Sequence, residues 1–172
     1  TQRLTLRLWT RADVAAFHTI WGDPEVIWWG HSESLEETAE GLGRVIDRRA
    51  ELSAGYGWYA VVTKDQDIIG NVLLQHNRTL PHETEIGWQL TKKSQGQGFA
   101  TEAAQALLAR GFDTLNLDRI IALIMPTNHA SQSVAQRLGM KLTEHVEHRG
   151  DTHEVWTITK AEFAARSLSA SG

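Results

Sequence analysis

The stretch Glu85-Ile86-Gly87-Trp88-Gln89-Leu90-Thr91-Lys92-Lys93-Ser94-Gln95-Gly96-Gln97-Gly98-Phe99-Ala100-Thr101-Glu102-Ala103 decides the fold. It starts as a strand, passes through a loop with two glycines two positions apart, and opens an alanine-rich helix. Ala100, Ala103, Ala104, Leu107, Leu108 and Phe112 recur at the spacing of one helical face and are expected to point inward. A strand, a glycine loop and a helix N-terminus together make an anion site. The first backbone N–H groups of a helix have no intrahelical partner, and the helix dipole adds roughly half a positive charge there. Gly96 and Gly98 let the backbone approach a bulky pyrophosphate. Lys92 and Lys93 add mobile positive charge.

Two other phosphate loops do not match. A P-loop needs G-x-x-x-x-G-K-[ST], which is absent. A dinucleotide fingerprint needs a third glycine where Thr101 stands, and an acidic residue closing the next strand, which is also missing.

Working outward toward the N-terminus, Leu4-Thr5-Leu6-Arg7-Leu8-Trp9 alternates with the period of a half-buried strand. Thr10 and Asp13 form a capping-box-like start for a helix through about Trp21, broken at Asp23-Pro24. Ser34-Leu35-Glu36-Glu37 is a capping box. The helix after it is expected to place Leu35, Ala39, Leu42, Val45, Ile46 and Leu52 on one face. Trp58–Thr63, Ile68–Gln75 and Glu83–Leu90 read as strands, the first two joined by the polar turn Lys64-Asp65-Gln66-Asp67. Trp58 and Trp88 are expected in the core of the sheet.

Toward the C-terminus, Arg119–Met125 is a nearly continuous apolar strand, as expected of one buried on both faces. His129–Leu138 reads as a helix closed by Gly139. Met140–His148 and Thr152–Thr159 flank the turn Arg149-Gly150-Asp151, and Thr159-Lys160-Ala161-Glu162 caps a last short helix. The order predicts an α/β fold: one domain over residues 1–166, with a mixed central sheet of about seven strands and helices on both faces. The small polar residues 167–172 are expected to form a flexible tail.

Composition narrows the function. A chain of 172 residues suits one domain, and 41% apolar with 22% charged residues is ordinary for a soluble protein. The absence of cysteine excludes a disulfide framework, a cysteine nucleophile and a thiolate metal site. A net charge of −4 lacks the footprint of a general nucleic-acid binder. No apolar run is long enough for a membrane span, and Thr1-Gln2-Arg3-Leu4 lacks signal-peptide character, so a cytoplasmic location is expected. Eight histidines show no helical H-x-x-x-H pair. His145 and His148 fall on opposite faces of a strand, with His153 across the turn, so no metal site is expected. No G-x-S-x-G elbow suggests a serine hydrolase.

The run Glu85–Leu90 followed by Gln95–Ala103 resembles the acetyl-CoA-binding core of GCN5-related N-acetyltransferases. Pro126-Thr127-Asn128-His129-Ala130-Ser131, with Ala135-Gln136-Arg137-Leu138-Gly139-Met140, resembles the second half of that core. Arg3-Leu4-Thr5-Leu6-Arg7 and Asp23-Pro24-Glu25-Val26 are similar to the branch of ribosomal-protein N-terminal acetyltransferases. One position departs from the family pattern: Lys93 stands where glutamine or arginine is usual in the pyrophosphate motif.

The resemblance implies an N-acetyltransferase moving an acetyl group from acetyl-CoA directly to a primary amine, within a ternary complex. Trp88, Gln89, Leu90, Lys93, Gln95, Gly96, Gln97, Gly98, Phe99, Ala100 and Thr101 would hold the cofactor. Glu85 would be the general base, directly or through a water, with Glu83 its competitor at the same strand parity. A backbone N–H near Trp88 or Gln89 would stabilise the oxyanion. Ser131 would protonate the leaving thiolate, or belong only to a helix's first turn. Asn128 would contact the pantetheine arm, cap the helix, or do both. Arg137 would reach the nucleotide phosphates or remain a solvated helix residue. Trp28 and Trp29 lie where similar proteins wall the acceptor site, and also suit ordinary packing. The acceptor would be a protein N-terminus or a small-molecule amine, and the assembly a monomer or homodimer. Two other readings stand beside this one: a catalytically degenerate acyl-CoA-binding regulatory module, and a module for another nucleotide.

Overall fold

The computed structural model describes residues 1–27, 32–49, 52 and 54–169, with the backbone alone for 167–169. Trp28 and Trp29 lie outside the described residues, as do 170–172 of the expected tail. Seven strands form one mixed sheet: β1 Leu4–Leu8, β2 Gly57–Thr63, β3 Ile68–His76, β4 Thr84–Leu90, β5 Arg119–Ile124, β6 Lys141–His148 and β7 Asp151–Thr159. Five helices are present among the described residues: α1 Val14–Trp21, α2 Leu35–Arg48, α3 Phe99–Ala109, α4 His129–Leu138 and α5 Lys160–Ser169. None is long and apolar enough to cross a membrane.

The strand order is β1-β2-β3-β4-β5-β7-β6. β1 and β2 pair antiparallel, β4 and β5 parallel with Glu85 opposite Ile121, and β7 antiparallel to both β5 and β6. The parallel step needs a crossover connection, and α3 supplies it between β4 and β5.

Local chemistry sets the element boundaries. Thr10 N–H and Oγ1 donate to Asp13 Oδ2 at 2.8 and 2.7 Å, opening the turn Arg11–Asp13 that leads into α1. Ser34 and Glu37 close a reciprocal capping box on α2, at 2.8 and 3.2 Å. Thr159 and Glu162 do the same for α5. Gly139 ends α4 at φ +84°, left-handed backbone that favours glycine. Arg149 and Gly150, at φ +55° and +89°, make the two-residue turn between β6 and β7.

The expected inner face of α2 needs correcting. Leu35 is 54% exposed and Ala39 is exposed too, while Leu52 falls beyond the helix. Thr38, Leu42 and Gly43 are the buried residues. Thr38 is tolerated inside because its hydroxyl is satisfied, donating to the Ser34 carbonyl at 2.8 Å and meeting His18 Nδ1 at 2.9 Å.

Contacts divide the chain into two compact units, Thr1–Leu73 with Trp88–Ala103, and Leu74–Gly87 with Ala104–Gly172. The first has an aromatic core: Trp9 meets Phe17 edge-on at 4.9 Å, Phe17 stacks on Trp21 at 4.0 Å, and Trp21 reaches Trp58 at 5.6 Å. Trp9 Nε1 donates to the buried Asn71 Oδ1 at 2.9 Å, so the indole's polar atom is paired. Trp58 packs half-buried against this core, whereas Trp88 is half-buried outside it. The second unit buries Leu107, Leu108 and Phe112 with Ile120, Ile121, Val155 and Ile158. Ala103, Ala104, Leu107, Leu108 and Phe112 are all buried as their periodicity requires, and Ala100 is half-buried.

Candidate active site

In the first unit, β4 ends at Leu90 and a short turn over Lys92–Ser94 leads to α3. Ser94 is buried and its Oγ accepts from Thr91 Oγ1 at 3.0 Å. Gln95 Nε2 donates to the Leu90 carbonyl at 3.1 Å, and Gln97 Nε2 to the Lys93 carbonyl at 3.0 Å. These two amides hold the loop's shape and leave its outer rim to the backbone. Gly96 and Gly98 sit at φ +75° and +80°. A Cβ on Gly96 would meet nothing within 4 Å, and one on Gly98 only Arg3 Nη2 at 3.5 Å. Conformation, more than crowding, therefore asks for glycine at both places.

From Gly96 to Thr101 no backbone N–H has a protein hydrogen-bond partner among the described residues; the next, on Glu102, donates to the Gly98 carbonyl at 3.0 Å. Thr101 Oγ1 is buried and also without a partner among them. Consecutive unpaired donors at a helix start, with an orphaned hydroxyl beside them, fit a ligand rich in anionic acceptors. Lys92 and Lys93 are exposed at the loop's start. A pyrophosphate matches this donor set.

The helix start is also clamped. The Arg3 N–H and Nε donate to Glu102 at 2.8 and 2.6 Å, Arg3 Nη1 donates to the Gln97 carbonyl at 3.1 Å, and its guanidinium lies 4.5 Å from the Phe99 ring centroid. Burial pushes the Glu102 carboxyl up, but hydrogen bonds from Thr1 and Arg3 hold it below its ordinary value. The sequence pattern around Arg3 shows only a strand start, since nothing local announces a partner 99 residues away.

Gln89 is used internally. Its Oε1 accepts from Asn71 Nδ2 at 2.8 Å, extending the buried relay from Trp9. Its Nε2 and its backbone are what it can still offer a ligand.

In the second unit, Glu85 is half-buried on β4. Asn77 Nδ2 donates to its Oε2 at 2.9 Å, and Gln75 Nε2 lies 3.5 Å from the same oxygen. Burial raises the carboxyl above its ordinary value, against the pull of those donors and of the charges on Arg149 and His153. Glu83 is different. Arg119 Nε donates to it at 2.8 Å and Arg119 Nη2 binds its other oxygen. The competitor is thus held in an ion pair, and of the two Glu85 is the carboxylate without a cationic side chain bonded to it among the described residues. Asn77 does not stand out in the sequence, although an asparagine before a loop is an Asx-turn signal.

Asn128 caps α4, accepting from the Ser131 N–H at 3.0 Å. Its Nδ2 and the half-buried Ser131 Oγ have no hydrogen-bond partner among the described residues. The capping role and a ligand role are therefore compatible in Asn128. Arg137 is exposed in the last turn of α4, and its carbonyl accepts from Arg166 Nη2 at 2.8 Å. No group of three or more histidine, cysteine, aspartate or glutamate side chains suited to a metal occurs among the described residues.

Residues 3–141 match the acetyltransferase (GNAT) domain family. The chain is 30% identical over 145 residues to the uncharacterized N-acetyltransferase YnaD of Bacillus subtilis, covering 82% of this chain and 81% of that one. It is 31% identical over 88 residues to a ribosomal-protein-serine acetyltransferase of Escherichia coli, covering 51% and 49%. Among solved structures, an acetyltransferase from Agrobacterium tumefaciens superposes with a TM-score of 0.77 at 28% identity, over 92% of this chain and 91% of that one. A GNAT-family acetyltransferase from Bacillus anthracis gives 0.75 at 25% identity, over 92% and 96%. The phosphate-suited loop after β4, the helix capped by Asn128 and these matches agree: the chain belongs to the GNAT family of acetyltransferases.

Proposed function

We infer that this enzyme transfers the acetyl group of acetyl-CoA directly to a primary amine, a protein N-terminus or a small-molecule amine, in a ternary complex. The observation that carries this reading is the run of unpaired N–H groups from Gly96 to Thr101 beside the orphaned Thr101 hydroxyl. Lys93 to Thr101 would bind the pyrophosphate, mainly through backbone donors, so the lysine at the motif's first position is tolerated. Arg137 would add charge for the nucleotide phosphates, and Asn128 would offer Nδ2 to the pantetheine arm. The partial match to a ribosomal-protein-serine acetyltransferase supports a protein amine among these acceptors.

When bound, acetyl-CoA supplies an activated thioester. Glu85 takes the proton of the attacking amine, and burial above the ordinary carboxylate range makes it a better acceptor near neutral pH. A backbone N–H of Trp88 or Gln89 donates to the acyl oxygen as charge develops there. Ser131 Oγ, unpaired among the described residues, gives its proton to the departing sulfur, an undemanding transfer because thiols ionise near pH ~8.5. The absence of cysteine agrees with direct transfer. The test is release of free thiol from acetyl-CoA in the presence of peptides with serine or alanine N-termini and of small primary amines. Amine-dependent release supports the reading. Binding of acetyl-CoA without release for any amine would indicate a binding module.

A further inference from the structure

Asn77 presents its NH₂ group to Glu85, an orientation of the amide that chemistry does not allow to reverse. Its side chain is buried, with the residue 2% exposed. Oδ1 accepts two backbone N–H groups, from Thr79 at 2.8 Å and Leu80 at 2.6 Å, and the Asn77 N–H donates to the Glu83 carbonyl at 2.9 Å. An asparagine amide can ordinarily be turned end for end. Here the turn would aim an NH₂ group at two N–H donors, so Nδ2 must face Glu85. An NH₂ group only donates. Glu85 Oε2 must then keep a lone pair toward Asn77 whether the carboxyl is ionised or not. Oε1 has no hydrogen-bond partner among the described residues.

The geometry points to Asn77 as a positioning residue for acetyl transfer: by occupying Oε2 it assigns Oε1 of Glu85 as the oxygen that takes the amine's proton. This rests on Glu85 being the base. The remaining groups around Glu85 do not compete for that role. On β3 Gln75 reaches the same Oε2, and on β5 the opposite residue is the apolar Ile121. On β7 and its turn, His153 and Arg149 act through their charge. His148 on β6 is engaged elsewhere, its Nδ1 2.5 Å from Thr79 Oγ1 and its ring edge-on to His153 at 5.1 Å. The turn that orients Asn77 is therefore itself tied to the β6–β7 hairpin.

Asn77→Asp tests the assignment, because aspartate keeps an oxygen for the two turn N–H groups and puts a second carboxylate oxygen against Oε2. The titration of Glu85 is followed by carbon-13 NMR in the full chain labelled at glutamate Cδ, the signal identified by its loss in Glu85→Gln. In Asn77→Asp its midpoint is expected to move up by about one pH unit or more. The acid limb of kcat/KM, with acetyl-CoA and a peptide with an N-terminal serine, should move with it. The rate below both midpoints then falls about tenfold for each pH unit the midpoint moves. KM for acetyl-CoA should stay within about twofold. An unmoved titration overturns the inference. Should Asn77→Asp not fold, the unsubstituted protein still decides: the Asn77 side-chain amide protons must titrate with the Glu85 midpoint, and flat signals overturn it. Full activity in Glu85→Gln would instead remove Glu85 as base while leaving that NMR linkage intact.

Discussion

Arg119 binds both carboxylate oxygens of Glu83, so the two acidic residues on this stretch of chain are not equivalent. Glu83 is neutralised by a cation, whereas among the described residues Glu85 meets only amide donors, on one oxygen. Glu85→Gln should lower turnover near neutral pH by about 10²–10⁴-fold while acetyl-CoA affinity stays within about twofold. Glu83→Gln should leave turnover within about threefold, since its carboxylate is taken up by the ion pair with the half-exposed Arg119. Comparable losses in both variants, measured by thiol release, would deny Glu85 its separate role.

The same carboxylate makes a prediction about stability. Burial raises the Glu85 pKa above its ordinary 4.5 in the folded protein. A group shifted this way favours folding below its unfolded value, and the contribution is lost as pH rises through the folded one. Once the pH exceeds the folded value, the ionised side chain is a cost that the neutral amide of Glu85→Gln does not carry. Thermal unfolding should therefore show Glu85→Gln at least as stable as the unsubstituted chain at about pH 7, and relatively less so near pH ~4. A clear drop in Tm at neutral pH would contradict the direction assigned to this group.

Asp13 runs the opposite way. Arg7 donates to both its oxygens at 2.8 Å and, with Thr10, lowers its pKa from 3.8 to about 2. Its contribution is complete above about pH 4 and is lost as pH falls toward about 2. Asp13→Asn should destabilise the protein at neutral pH by about 1 kcal/mol, the scale of a lost cap. That difference should shrink as an acid titration of stability passes below about pH 4.

Asn128 and Ser131 should separate structure from chemistry. Asn128→Ala removes the α4 cap and is expected to cost about 1 kcal/mol. Ser131→Ala removes a hydroxyl with no protein partner among the described residues, so stability should change by less than about 0.5 kcal/mol. Turnover should nonetheless fall. A Ser131→Ala variant with full turnover would leave the thiolate to solvent.

What can be read from the sequence is what neighbouring residues decide among themselves. The three capping pairs, the left-handed Gly139 and the glycine loop all depend on chemistry within a few positions. The face of α2 differs from its periodicity because Thr38 is buried by a partner, His18, that lies on another helix. Glu83 cannot be set apart from Glu85 by sequence because Arg119 comes 36 residues later. The clamp of Arg3 on Glu102 is hidden for the same reason. Trp28 and Trp29, proposed from their place between the first two helices, lie outside the described residues.

The loop from Lys93 to Thr101 is proposed to bind the pyrophosphate of acetyl-CoA through its backbone. Calorimetric titration of the purified chain with acetyl-CoA, with ATP and NAD as controls and Gly98→Trp as the disrupted loop, addresses it most directly. At φ +80° any side chain strains this position by about 1–2 kcal/mol, and an indole would also cover the unpaired donors. Selective micromolar binding, about −8 kcal/mol, is expected of the unsubstituted chain and is lost in folded Gly98→Trp. No binding by the folded unsubstituted chain, or equal affinity in the variant, would contradict it.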